Sequence, residues 1–281
     1  MNGGNNSCPA APEKAAHGKS FIHDGRCRLP VEIIETPVHS RDSVVPTLVF
    51  LHEGLGSIAQ WRDFPLAVSR ATHLPAVVYE RAGYGKADPP AGPRSIRYLH
   101  EEALESLPEV LRQLQIEDAV LIGHSDGGSI ALIFASVWPQ KVRGIVTEAA
   151  HVFVEDVTLS GIRAAVNLYA SSDLPERLSK YHGNNAEAVF RGWSETWLSP
   201  SFRSWNIEEY LPGVRCPVLA IQGREDEYGT SAQVEAIVKG VSGPADPLII
   251  EGCGHIPHHQ ARERVLAALT RFILGLTDGR G

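Results

Sequence analysis

The stretch Glu117–Trp138, EDAVLIGHSDGGSIALIFASVW, constrains this chain more than any other. Ala119–Ile122 is a short unbroken apolar run, the mark of a strand buried on both faces. Ile130–Ala135, with its flanks, reads as a packed helix. Between them sits Gly123-His124-Ser125-Asp126-Gly127, a G-x-S-x-G pattern at a strand-to-helix junction. A serine that must stand clear of a sheet edge needs a very sharp turn. In such a turn the positions two before and two after the serine nearly touch, which suits glycine at 123 and 127. The helix that follows aims its free N–H groups and positive dipole end at the same place. The bland alternative is a glycine-rich turn with an idle serine. A legible strand before and helix after argue against it.

The rest of the chain repeats this alternation. Val31–Glu35, Pro46–His52, Ala76–Glu80, Val142–Val146, Pro217–Gln222 and Pro247–Glu251 read as further strands. Helical patterns fall around Gln60–Arg70, Arg94–Gln115, Ser231–Lys239 and Ala261–Leu274. Strand and helix in turn predict an α/β fold, a parallel sheet covered on both faces. Several strands end in glycine turns, HEGLGS after the second and RAGYGKAD after the third, which gathers those turns on one ligand-binding rim.

One segment breaks the alternation. Residues 151–212 contain no clear strand and hold Trp193, Trp197 and Trp205, three of the five tryptophans. A connection this long inside a compact domain is functional as a rule, and it reads as a helical cap over the rim. Residues 21–150 and 213–281 form the body. Phe190, Trp193 and Trp197 share a helix face. That face either glues the cap to the body or roofs the substrate.

Residues 1–20 are small and polar and lack the apolar segment of a secretory signal, so they read as a mobile tail. No apolar run approaches the length of a membrane span. The net charge of −7 disfavours nucleic acid and anionic membranes as partners. Cys8, Cys27, Cys216 and Cys253 show no C-x-x-C and no metal spacing, which fits free thiols in a reducing cytoplasm. No metal and no cofactor are expected. A small molecule is the expected partner, and monomer and homodimer both fit.

A serine is a poor nucleophile at neutral pH without a base, and the base needs an orienting acid. In this topology the acid and then the histidine should follow in loops after later strands. The loop after Pro217–Gln222 offers Glu225, Asp226 and Glu227. Asp226 is favoured, three residues past Gly223, with its neighbours read as a solvated acidic loop. The loop after Pro247–Glu251 offers His255, His258 and His259. His255 follows a glycine that permits close approach, whereas His258 and His259 read as surface residues. The two amide donors of an oxyanion hole are expected at Asp126 and Gly54.

HEGLG, ERAGYG, GHSDGG, GREDE and GCGH occur in this order, and together they resemble the α/β-hydrolase superfamily from about Val31 onward. The resemblance implies a mostly parallel eight-stranded sheet with a helical lid between strands six and seven. It gives Ser125, Asp226 and His255 the roles of a catalytic triad. The elbow and the Trp-rich lid look most like capped ester and carbon–carbon-bond hydrolases. The chain departs from the superfamily's usual His-Gly by having His52-Glu53. Glu53 is expected to face away and pair with a base such as Arg81. Asp126 suits a helix N-terminus by its charge alone. The sharper alternative is that Asp126 or Glu53 meets a cationic group on the substrate. Glu53, His124, Trp193 and Trp197 are the candidate substrate contacts.

The leading expectation is a serine hydrolase that cleaves a small ester through an acyl-enzyme. Hydrolysis of a vinylogous diketone at a carbon–carbon bond, or of an amide, thioester or lactone, would use the same groups. A receptor that uses the pocket only for recognition is the alternative of a different class.

Overall fold

The computed structural model describes residues 17–36, 45–89, 92 and 94–278. Eight strands form one sheet: β1 (His17–His23), β2 (Arg28–Ile34), β3 (Thr47–Leu51), β4 (Ala76–Tyr79), β5 (Ala119–His124), β6 (Val142–Glu148), β7 (Val218–Gly223) and β8 (Ala245–Ile250). Their order is β1-β2-β4-β3-β5-β6-β7-β8. The pairs β1–β2 and β2–β4 are antiparallel and the remaining pairs are parallel. This is the expected fold class. Residues 17–20 depart from the tail reading, because they pair with Val31–Ile34 in an edge hairpin. Gly18, Lys19 and Ser20 are exposed, which explains why no apolar signal marked them. The rest of the supposed tail, residues 1–16 with Cys8, lies outside the described residues. Cys27, Cys216 and Cys253 are buried free thiols.

Because side chains alternate along a strand, each central strand feeds two cores. Val49, Leu51 and Leu121 face one side, where α4 (Asp126–Val137) and the cap pack. Leu48, Phe50, Val120 and Ile122 face the other, against α1 (Phe64–Thr72) and α10 (Arg262–Asp278). The helical pattern of Arg94–Gln115 starts later than read, at Tyr98. It runs as α2 (Tyr98–Glu101), a π-type turn (Glu102–Ser106) and α3 (Leu107–Gln113). Pro108 explains the wide turn: it has no N–H for the carbonyl four residues back, and its ring pushes that carbonyl aside.

The segment between β6 and β7, read from sequence as a cap, carries three α-helices: α5 (Asp156–Ser171), α6 (Leu174–His182) and α7 (Ala186–Leu198). After it come α8 (Ser231–Gly240) and the short α9 (Pro257–Gln260) ahead of α10. Among the described residues no helix is long and apolar enough to cross a membrane. The parallel register of β3 to β8 sends the loops after β3, β4, β5, β6, β7 and β8 to the same edge of the sheet, under the cap.

Candidate active site

Ser125 follows β5 directly, with φ 51° and ψ −115°. A side chain rarely adopts this backbone, and it costs of the order of 1–3 kcal/mol. The glycines around it make the turn possible. A Cβ on Gly123 would run into the Gly127 carbonyl, and one on Gly127 into the Leu51 carbonyl at the end of β3. Ser125 occupies the N-cap position of α4, yet its hydroxyl does not cap the helix. The turn instead is held by the backbone, Ser125 N–H donating to the Glu148 carbonyl at 2.8 Å.

Asp226 and His255 are brought together. His255 Nδ1 lies 2.9 Å from each Asp226 carboxylate oxygen. Asp226 also accepts from Tyr228 N–H (2.8 Å) and from Gln222 Nε2 (2.5 Å). Burial pushes its carboxyl up, but the adjacent His255, with the Tyr228 N–H, outweighs that and holds it below the usual range. Gly223 is needed where the two loops cross, since a Cβ there would meet the carbonyls of Cys253 and Gly254. Glu225 and Glu227 are exposed, as the solvated reading had it. Glu225 has a further job, its carboxylate accepting Cys253 N–H at 2.8 Å.

The residue before Ser125 touches the loop that carries His255. His124 Nε2 lies 2.7 Å from the His255 carbonyl oxygen. Among the described residues the Ser125 hydroxyl makes no hydrogen bond to the His255 ring.

Gly54 packs beside Asp126 and beneath the cap. A Cβ on Gly54 would come within 2.5 Å of Trp193 Cδ1 and 3.3 Å of Asp126 Oδ2. Trp193 therefore lies across the loop after β3, and it reaches Tyr228 on its other side, with ring centroids 6.0 Å apart. Trp197 is different. Its Nε1–H donates to Tyr98 Oη at 2.9 Å, and it packs among His151, Phe202 and Trp205. One helix face thus sends Trp193 to the loop after β3 and Trp197 into the packing beneath it.

Three expectations need correcting. Glu53 does not pair with Arg81 through its carboxylate; its Oε2 lies 3.4 Å from His124 Nδ1. Arg81 instead donates to the Glu53 carbonyl at 2.8 Å and approaches Asp126 Oδ2 at 3.4 Å. Tyr98 Oη donates to the same Asp126 oxygen at 2.9 Å. Asp126 is thus met by protein donors, while its Oδ1 is buried without a partner among the described residues. His124 is wholly buried, its ring spent on Glu53 and His255 rather than turned to a ligand. His258 is no surface residue: it is buried, and its ring Nδ1 and backbone N–H both meet Glu148 Oε2 at 2.9 Å. His259 is half-buried. Gln222 and Glu148 escaped the sequence reading as site residues, although each is a buried polar residue at or next to the end of a strand.

A family model described as the alpha/beta hydrolase family matches residues 48–268. The chain belongs to this family. It is 24% identical over 266 residues to a proline iminopeptidase of Saccharolobus solfataricus, covering 80% of this chain and 84% of that one. It is 30% identical over 250 residues to a 2-hydroxy-6-oxo-2,4-heptadienoate hydrolase of Pseudomonas putida, covering 79% and 86%. The solved structure of a 2-hydroxy-6-oxo-6-phenylhexa-2,4-dienoate hydrolase from a Rhodococcus strain superposes with a TM-score of 0.76 at 14% identity, covering 92% of this chain and 100% of that one. That last likeness is one of fold.

Proposed function

We propose that this family member is a cofactor-independent serine hydrolase that cleaves a small ester through an acyl-enzyme. The observation that carries the proposal is the contact of His255 Nδ1 with both oxygens of Asp226. An ionised carboxylate accepts only, so Nδ1 carries the proton and Nε2 is left as the base. His255 Nε2 takes the Ser125 proton as Oγ bonds to the substrate carbonyl carbon. The oxyanion forms against the backbone N–H groups of Asp126 and Gly54. Collapse breaks the bond to the leaving oxygen, which receives the proton from His255. Water then attacks the acyl-enzyme with His255 again as base, and the acid leaves. Trp193 is the cap residue assigned to the substrate's roof, from its place over Gly54.

The second reading is cleavage of a carbon–carbon bond in a dienoate diketone by the same groups. The 30% identity to the Pseudomonas putida hydrolase supports it. Amide hydrolysis takes its support from the iminopeptidase in the same way. The test is a panel of p-nitrophenyl esters of rising acyl length, run beside a 2-hydroxy-6-oxo-dienoate and a prolyl amide. The esters should turn over fastest, and Ser125→Ala should lower turnover by about 10⁴-fold or more. A fluorophosphonate should label wild type at Ser125 and leave the variant unlabelled. Turnover that survives in folded Ser125→Ala defeats the mechanism. A dienoate faster than every ester moves the assignment to the second reading.

A further inference from the structure

Behind His255 lies a second histidine–carboxylate pair that the mechanism does not use. His124 Nε2 is 2.7 Å from the His255 carbonyl oxygen, and a carbonyl only accepts, so this nitrogen carries a proton. The other ring nitrogen faces Glu53 Oε2 at 3.4 Å. Burial would push the His124 ring down, but the hydrogen bond and charge of Glu53 outweigh it and raise it. Burial likewise would push Glu53 up, and His124 turns that into a lowered carboxyl. Both directions describe an imidazolium on a carboxylate, one N–H gripping Glu53 and the other gripping the loop that carries His255.

The carboxylate's seat is built for it. A Cβ on Gly56 would strike Glu53 Oε2, so the glycine three residues past the usual glycine position is what lets Glu53 fold back. The opposite side of His124 is closed by the His258 ring, with centroids 5.1 Å apart. His258 is fixed by Glu148, whose own carbonyl holds Ser125 N–H. The charged and titratable groups around His124 are therefore Glu53, Glu148, His255 and His258, with His52 beside Glu53 and His259 beyond His258.

We infer that Glu53 and His124 are positioning residues, a charged pair of a half-buried carboxylate and a buried imidazole that sets the base His255 against the nucleophile by clamping its backbone carbonyl. The role rests on the Ser125–His255–Asp226 reading above. It gives a physical use to the glutamate that stands where the superfamily usually has glycine.

The test uses the full chain with Glu53→Gln, Glu53→Asp and Gly56→Ala. Glu53→Gln keeps the shape and removes the charge. Glu53→Asp keeps the charge. Gly56→Ala displaces the carboxylate without changing it. Turnover is followed with p-nitrophenyl acetate, active-site reactivity by the rate of fluorophosphonate inactivation, and the His255 Nδ1–H bond to Asp226 by its downfield proton signal in ¹⁵N-labelled protein. Near-UV circular dichroism monitors the fold. In Glu53→Gln and Gly56→Ala, kcat and the inactivation rate should fall together by about 10- to 100-fold, the cost of a base displaced by up to about 1 Å. KM should stay within about twofold, the downfield signal should broaden or shift, and Glu53→Asp should recover most of the kcat. Folded Glu53→Gln with wild-type kcat and an unmoved signal overturns the inference. So does a loss carried by KM alone. If Ser125→Ala keeps its activity, the triad reading fails instead, and the downfield signal still reports whether Glu53 holds His255.

Discussion

Ser125 shows at one residue how chemistry and stability oppose each other. Its φ of 51° and ψ of −115° are those of the first central residue of a II′ turn, a place for glycine. Any side chain there is strained, and only the hydroxyl justifies one. Ser125→Gly and Ser125→Ala both remove the hydroxyl proposed as the nucleophile, but only glycine relieves the backbone. Ser125→Gly should therefore melt above Ser125→Ala by about 2–4 °C, equivalent to about 1 kcal/mol in a domain of this size. Scanning calorimetry of the two dead variants measures it directly. Equal melting temperatures would mean that the turn stores no strain. The G-x-S-x-G spacing announced this turn because the cause is steric and local. The partners of His124 were illegible for the opposite reason. Glu53 lies far away in sequence, and nothing in HEGLG says that Gly56 opens room for a carboxylate rather than for a ligand.

At the scale of elements, α6 is latched to the body by one histidine. His182 Nδ1 accepts Gly85 N–H at 2.9 Å, and Nε2–H donates to the Leu55 carbonyl at 2.9 Å. The ring thus joins the glycine turns after β3 and β4, and only its neutral form can make both bonds. Burial lowers its pKa. The unfolded chain then binds the proton first, so the contribution is complete above the ordinary histidine value near about 6.5 and fades as pH falls below it. His182→Gln should lose about 1–2 kcal/mol at pH 8, from two buried bonds made poorly or not at all. The gap from wild type should narrow on going from pH 8 to pH 5. Urea titrations of both proteins across that range decide the point, and a gap that widens in acid would contradict it. Sequence pattern marked residues 151–212 as an interruption of the strand–helix alternation, and it grouped the aromatics of α7 on one face. It could not divide that face, because Trp193 meets Gly54 while Trp197 meets Tyr98 only through tertiary packing. The π-type turn before Pro108 was hidden likewise, since apolar spacing barely changes across one widened turn.

For the whole molecule, the two faces of the sheet carry different burdens. The face under α4 and the cap holds Asp126, Tyr98, Trp193 and Trp197, so packing there and chemistry are entangled. The face under α1 and α10 is a plain apolar core of Phe50, Phe64, Val68, Val265, Leu269 and Ile273, with the His258 ring at its upper end against Trp61 and Phe64. The fold was readable because this division follows from period-two strands and a strict strand–helix alternation, both local patterns. The layer of paired histidines and carboxylates at the strand ends, Glu148 with His258 and Glu53 with His124, was not readable, because each pair joins a strand end to a loop remote in sequence. If the faces are separable, Leu269→Ala should cost about 2–5 kcal/mol, the range for emptying a wholly buried leucine site. It should lower the urea midpoint without changing kcat/KM of the folded protein by more than about twofold. Leu269 is deep in α10, beyond the turn of α9 that carries His258, so its cavity is expected to be absorbed before it reaches the base. Parallel urea melts and assays well below the melting temperature measure both quantities. A fall in kcat/KM that tracks the lost stability would show that the α1–α10 core and the His255 loop move as one unit, and that the layer of paired histidines transmits between the faces rather than isolating them.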